Sequence, residues 1–312
     1  MPFPPETASQ SPKRVGRSPA GIDRELIPRL NPAMACDTAF RVIAAHYLAR
    51  LSANHDATCN GDPDGLHRMR VALTHLRAAI LFFSPMVADD ERTKIRDELK
   101  WLNAQLGAVR DIDVAIERLT KNNEAPCQAI PDHRSWNAKA ADAHQHLAEV
   151  LRSVRYRRLI KNTSDWIESG GWSIEGGKRA QQRAVPVTEY GAGKLARWQN
   201  KLLKKSRKLQ KMSSEKRHRL RLLNKKLAYS IDFFSDLFSD KKLSGLPASL
   251  KYLRKAQRSL GQLNDDANAR SLAEELKGDN PHAPLHFLNP RRKKHLLRSA
   301  AASYRKLAEL KT

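Results

Sequence analysis

Residues 64–84 read DGLHRMRVALTHLRAAILFFS, and their apolar side chains recur every three or four positions. That spacing is the period of an α-helix, so these side chains share one stripe of the helix surface, which we expect to be buried. The stripe consists of Met69, Leu73, Leu76, Ile80 and Phe83. His67, Arg70 and Arg77 fall on the adjacent stripe, so an imidazole and two guanidinium groups point the same way.

The helical period continues from Met34 onward, and alternating runs typical of β-strands are missing. Asp62-Pro63 and Asn289-Pro290 each place a capping side chain before a proline at the first helical position. The sequence therefore predicts an all-α protein. We expect helices at 34–54, 64–84, 88–119, 135–169, 194–212, 214–239, 246–277 and 290–310.

Two segments are expected to lie outside these helices. Residues 1–33 are rich in Pro and Ser, which predicts a disordered tail. Residues 170–193 contain several glycines and Pro186, which predicts a linker between two groups of four helices.

Two blocks of sequence occur twice in the same order. His67-Arg68-Met69-Arg70 returns as His218-Arg219-Leu220-Arg221 at an offset of 151 residues, and Phe82-Phe83 returns at the same offset as Phe233-Phe234. Leu106-Gly107 to Asp111 returns as Leu260-Gly261 to Asp265 at an offset of 154. The repetition predicts duplication of a four-helix unit, with pseudo-symmetric bundles over 34–169 and 194–312.

The 312 residues include 57 Lys and Arg against 33 Asp and Glu, a formal net charge of +24. Residues 194–226 hold 14 of these cations and one acid, Glu215. Such an excess is typical of proteins that bind polyanions. Within it, one predicted helix carries cations at steps of three and four residues, which favours an extended anion over a small metabolite. They are Lys194, Arg197, Lys201, Lys204, Lys208 and Lys211.

Composition also indicates where the protein works. No stretch approaches the roughly 18 apolar residues of a membrane span, and no secretory signal begins the chain. The three cysteines, Cys36, Cys59 and Cys127, lack the spacing of a disulfide framework or a zinc ribbon. We expect a soluble cytoplasmic protein with reduced thiols, no membrane partner and no cofactor.

Three other interpretations stay open at this point. The arginines could pair with Asp111, Asp113, Asp265 and Asp266 as structural partners, and these acids could instead bind a divalent ion, although we expect no metal site. The cations could bind the phosphate backbone of nucleic acid, but the aromatic residues that would stack on bases are expected in the core. A metal-dependent phosphate-processing enzyme is less favoured, because no nucleophile, base and orienting group can be assembled.

The repeated blocks resemble the CHAD family, the "conserved histidine α-helical domain", over about residues 34–312. The residues that carry the likeness are 66–71 with Leu76-Arg77, 101–102 with 106–113, 217–221 and 260–265. The resemblance implies two four-helix bundles with a basic groove for inorganic polyphosphate, and it is the only basis for expecting polyphosphate granules. Three departures from the family pattern are Thr74-His75, Ala228 and Asn264.

From the resemblance and the charge pattern together we expect a stand-alone, non-catalytic protein that binds polyphosphate. The histidines should contact phosphate or orient the arginines, and neighbouring cations should disfavour their charged form in the free protein. The expected binding residues are His67, Arg70, Arg77, Arg155, Arg157, Arg158, Lys201, Lys204, Arg207, Lys208, His218, Arg221, Lys225 and Lys226.

Overall fold

The computed structural model describes residues 28–121, 133–276 and 288–310. Every regular element in these ranges is helical, and the sole β-type contact among them is an isolated bridge between Ala35 and Pro186. The all-α expectation is therefore confirmed. The helices are α1 (Cys36–Ala53), α2 (His55–Cys59), α3 (Pro63–Phe82), α4 (Asp90–Lys121), α5 (His133–Arg152), α6 (Val154–Ser169), α7 (Gly177–Ala184), α8 (Val187–Ser206), α9 (Ser214–Asp232), α10 (Leu246–Leu276) and α11 (Pro290–Glu309).

Both predicted caps are present. The Asp62 carboxylate accepts hydrogen bonds from the Asp64 and Gly65 amides at the start of α3. Asn289 accepts one from the Arg292 amide at the start of α11. In each case the side chain satisfies backbone donors that have no partner inside the helix.

The single helix expected over 135–169 is wrong, because the structure divides it into α5 and α6. Ser153 has an extended backbone and its hydroxyl accepts a hydrogen bond from the Tyr156 amide, so it caps a new helix. The same serine donates to the carbonyl of Val150. The capping bond offsets the loss of helical continuity at this residue.

Residues 170–193 are not a break in helical structure, as α7 lies within them and α8 begins at Val187. Gly191 sits inside α8 where a β-carbon would lie 2.9 Å from Cζ of Phe234. This glycine permits the close approach of a helix to an aromatic ring, and it does not end the helix.

The same region corrects two further boundaries. α8 ends at Ser206 instead of 212, and a short 3₁₀ turn follows over Leu209–Lys211. α9 ends at Asp232 instead of 239, again followed by a 3₁₀ turn, Ser235–Leu237. Most of the expected tail, residues 1–27, lies outside the described residues. Residues 28–33 do belong to the fold: Leu30 packs on the core, and Pro32 O accepts a hydrogen bond from Thr188 at 3.2 Å.

α3 packs against α9 and so joins the first half of the chain to the second. α3 also contacts α1 and α4, while α9 contacts α8 and α10. Aromatic rings join the two sides: Tyr47 with Phe233 at 5.8 Å between centroids, and Trp198 with Phe82 at 5.6 Å. At the 151-residue offset Tyr47 corresponds to Trp198, and Phe82 corresponds to Phe233. The first residues of α1 and α8 are separated by the same offset, and so are the first residues of α3 and α9. Duplication itself stays a prediction.

In the part of the chain that the structure describes, no helix combines the length and apolar character needed to cross a membrane.

Candidate functional site

A row of cations lies along the contact between α3 and α9. We call this row the central seam. Helical spacing puts Arg70 and Arg77 two turns apart on one face of α3, about 10 Å along the axis. Neighbouring helices bring further cations to them. The members are Arg70 and Arg77 of α3, Arg96 and Arg110 of α4, Lys201 of α8, and Arg221, Lys225 and Lys226 of α9.

One end of the seam contains acids as well as cations. Burial lowers the pKa of Lys225 to about 8, and the charges of Arg221 and Arg70 add to this effect. Burial also lowers the pKa of Arg70, whereas the Asp111 carboxylate opposes that shift. Asp265 acts in the same way on Lys225. We call this part the acid-flanked end; its cations are only partly compensated.

Arg221, at the acid-flanked end, has an unsatisfied donor. Its Nε is buried and has no hydrogen-bond partner. A buried donor without an acceptor costs free energy. The Arg221 guanidinium group therefore has hydrogen-bonding capacity that the fold does not use.

The other end of the seam, formed by Arg77, Arg96, Lys201 and Lys226, we call the acid-free end. Burial lowers the pKa of Lys226, and the guanidinium groups of Arg77 and Arg96 lower it further. Lys201 adds to the same repulsion. Among the described residues no carboxylate lies within 4 Å of any of these four side chains. Like charges held together without a counter-charge favour a bound anion.

The two motif histidines have different environments. Burial, which the sequence did not predict, is the largest cause that lowers the pKa of His67; the charges of Arg110 and Arg70 lower it further, as expected of neighbouring cations. His218 is fixed by a 2.6 Å contact between its Nδ1 and Oδ1 of Asn264. With the oxygen as acceptor, Nδ1 carries the proton and Nε2 is left for another partner. Asn264 occupies the position that corresponds to Arg110 at the 154-residue offset, and its side chain orients His218.

The four acids proposed as arginine partners divide into two roles. Asp111 and Asp265 lie at the acid-flanked end, where desolvation raises the pKa of Asp111 and Arg70 opposes the shift. Asp113 contacts Nε2 of His144 at 2.8 Å, and Asp266 pairs with Arg270 and Lys293 at 3.0 Å each. Among the described side chains no group of three His, Cys, Asp or Glu residues could hold a metal ion.

Arg155 is not brought to the central seam, which corrects its expected position. Its guanidinium group makes two 2.8 Å hydrogen bonds to Glu98 and stacks 3.9 Å from the centroid of Trp101. Glu98 and Trp101 lie on nearly the opposite side of α4 from Arg96 and Arg110, as their spacing requires. Arg157 and Arg158 are exposed on the same helix, α6, and Arg158 lines a cleft between α4 and α6.

The cationic face expected over 194–211 is also only partly correct. Lys201 reaches the seam, whereas Lys194 is buried against three aromatic rings and donates to the Tyr190 hydroxyl at 2.8 Å. Lys204 is exposed near the end of α8, and Arg207 and Lys208 lie beyond it. Since the helix ends at Ser206, these cations do not form one continuous face.

Two departures from the family pattern have structural reasons. His75 is buried and stacked on Tyr47, 4.6 Å between centroids, and its Nδ1 lies 2.8 Å from the Val71 carbonyl. It is a core residue. Ala228 is also buried, so an arginine there would lie in the core.

Sequence reasoning did not select Arg96 or Arg110 as site residues. They are fourteen positions apart on α4, which places them within about 40° of each other around the helix. That spacing was available in the sequence, but only the packing of α4 on α3 shows that this side faces the seam.

The chain was compared with known proteins. The family model described as "CHAD domain" matches residues 42–274. The crystal structure of the CHAD domain from the plant Ricinus communis is similar, with a TM-score of 0.71 and 24% sequence identity, over 95% of this chain and 98% of that one. At this identity the similarity shows a shared fold. No match was found among curated proteins. Because the family model spans well over half of the sequence, this chain belongs to the CHAD domain family.

Proposed function

We propose that this protein binds inorganic polyphosphate along the central seam and does not process it chemically. The observation that carries the proposal is the acid-free end, where Arg77, Arg96, Lys201 and Lys226 meet without a carboxylate among the described residues. An anion there would relieve repulsion that the free protein contains. The charge-assisted hydrogen bonds formed would be stronger than neutral ones.

The extended distribution of cations supports a polyphosphate chain as the ligand over a single phosphate ion. Cations extend from Arg70 to Arg77 along two turns of α3, and α4, α8 and α9 widen the row. A small anion would satisfy one end and leave the other uncompensated. A polymer with one charge on every unit would compensate both ends together.

The position of the aromatic residues supports polyphosphate over single-stranded nucleic acid. Base stacking on exposed rings usually contributes to single-strand binding. Among the side chains that the structure describes, every aromatic ring is buried or half-buried, and Phe82, Phe83, Phe233 and Phe234 are fully buried. The seam therefore offers phosphate contacts without a means of reading bases.

The experiment is a titration with polyphosphate of defined length, with single-stranded DNA of equal charge as competitor. We expect Arg77→Gln/Lys201→Gln/Lys226→Gln to weaken polyphosphate binding by at least about tenfold, the equivalent of one charge-assisted contact. The matched control Lys255→Gln/Arg298→Gln/Arg305→Gln removes the same charge from exposed positions on α10 and α11. Equal losses in both variants would reject the seam as the site.

Two further results would change the proposal. If DNA displaces polyphosphate equally well, the protein is a general phosphate-backbone binder. If phosphate is released during incubation with polyphosphate and magnesium or manganese, it is an enzyme. A cytoplasmic location at polyphosphate granules is part of the proposal, and co-localisation of a fluorescently labelled protein with the granules tests it.

A further inference from the structure

A pocket of about 130 Å³ lies between α9, α10 and α11. It has the volume of about four water molecules, enough for one tetrahedral anion with part of its hydration shell. Among its lining residues are four cations and the oriented histidine. They are Arg217, His218, Arg221, Arg270 and Lys293.

Two of these cations are held in place by one acid. Both oxygens of Asp266 are occupied: Oδ2 accepts from Arg270 and from Lys293, each at 3.0 Å, and Oδ1 accepts from the Leu288 amide at 2.6 Å. Desolvation alone would raise the pKa of Asp266, but these hydrogen bonds keep it below its ordinary value. The acid therefore positions Arg270 and Lys293 at the wall of the pocket.

The remaining groups have donor capacity left. Arg221 lines both the pocket and the acid-flanked end of the seam, and its buried Nε has no partner. His218 is held through Nδ1 by Asn264, which leaves Nε2 for a ligand. The pocket is therefore a side branch of the seam, with polar groups that the fold fixes but does not satisfy.

The first half of the chain does not repeat this arrangement. At the 154-residue offset, Asp266 corresponds to Ile112, a buried apolar residue, and Asn264 corresponds to Arg110. An isoleucine cannot anchor two cations, and Arg110 opposes the charged form of His67 instead of orienting it. Within the described residues, the position of this anchoring acid is therefore acidic in the second half and apolar in the first.

We propose that this pocket receives the terminal phosphate of a linear polyphosphate chain while the seam binds the units that follow it. This inference rests on the proposed function. A terminal phosphate carries one more ionisable oxygen than an internal unit, and so suits a pocket with four cations and one acid. It also has a single bridging bond, so it can enter a pocket that branches from the seam.

The test compares a long linear chain with the same chain whose two ends are converted to phosphoramidates. Capping leaves the internal units unchanged. We expect capping to weaken binding to the natural protein by about tenfold, the value of one charge-assisted contact. In Arg217→Gln/Lys293→Gln capped and uncapped chains should bind alike, whereas the control Arg298→Gln/Arg305→Gln should still distinguish them.

Phosphorus NMR on the unmodified protein gives a readout that needs no variant. Terminal and internal phosphates have separate resonances, and we expect the terminal resonance of a short chain to broaden first at substoichiometric protein. If capped and uncapped chains bind the natural protein equally, the terminal-phosphate inference is wrong while polyphosphate binding stands. If neither chain binds, both the inference and the proposed function fail.

Discussion

Arg77 of α3 and Lys226 of α9 face each other within electrostatic range across the central seam, and the charge of the guanidinium group lowers the pKa of the ammonium group. They come from separate halves of the chain, 149 residues apart. Packing of α3 on α9 holds them there despite their equal charge.

Arg77→Gln should leave the free protein as stable as before or a few tenths of a kcal/mol more stable, because repulsion from Arg96 and Lys226 is removed. Polyphosphate binding should weaken, and the slope of log K against log salt should become shallower by about 0.7, the single-strand value for one phosphate contact. Isothermal titration at several salt concentrations measures both. Arg305→Gln, which loses the same charge on α11, should keep the slope of the natural protein. If Arg77→Gln also keeps that slope, Arg77 does not contact polyphosphate.

Binding should weaken as the pH rises above about 8, where Lys225 loses its proton in the free protein. The folded-state pKa lies below the unfolded value of 10.5, so the stability of the free protein rises with pH between these two values. Bound polyphosphate favours the charged form, so binding in this range should take up a proton. Titration in buffers of different ionisation enthalpy measures that uptake, and Lys225→Arg should reduce it to the smaller contribution of Lys226, whose pKa is also lowered by burial and by neighbouring cations.

His67 should produce a response of the same sign in acid. Its pKa lies below the usual 6.5 because of burial, Arg110 and Arg70, and a bound anion would raise it. Polyphosphate binding should therefore tighten as the pH falls below 6.5. Protonation of Asp111 contributes in the same direction, so the comparison is made in an Asp111→Asn background. A His67→Gln protein that tightens just as much would show that another group is responsible.

His75 should contribute to stability and not to binding. Burial lowers its pKa to about 4, so the unfolded chain takes up a proton between pH 6.5 and 4 while the folded protein does not. Stability is lost as the pH falls through that window, by about 3 kcal/mol in total. His75→Phe should remove this dependence in denaturant titrations and leave polyphosphate affinity within about twofold, less than the effect of one contact.

Arg155→Ala should lower the melting temperature slightly, because the side chain loses its pair with Glu98 and its stacking on Trp101. Polyphosphate affinity should not change, since these contacts lie on the far side of α4 from the seam. Calorimetry and a binding titration on the same preparation separate the two effects. A clear loss of polyphosphate affinity in Arg155→Ala would show that α6 takes part in binding.

Several features could be read from local sequence. The apolar stripe from Met69 to Phe83 and the shared face of Arg70 and Arg77 follow from helical spacing. The caps at Asp62 and Asn289 follow from a capping side chain placed before a proline. The helix break at Ser153 was available from the same rules, since serine is a good cap, but nothing near it interrupts the apolar period.

The amino-acid sequence by itself determined that the chain is helical, where α3 and α11 begin, and which stripe of α3 is apolar or charged, because hydrogen bonding and side-chain spacing within a helix are local. Only the tertiary structure decided which charged stripes meet. It buried Lys194 among aromatic rings, paired Arg155 with Glu98, and added Arg96 to the seam. The physical reason is that the local sequence around a cation does not show which other helix it will face. Close packing of Gly191 on Phe234 and of α3 on α9 fixes which cations share one surface.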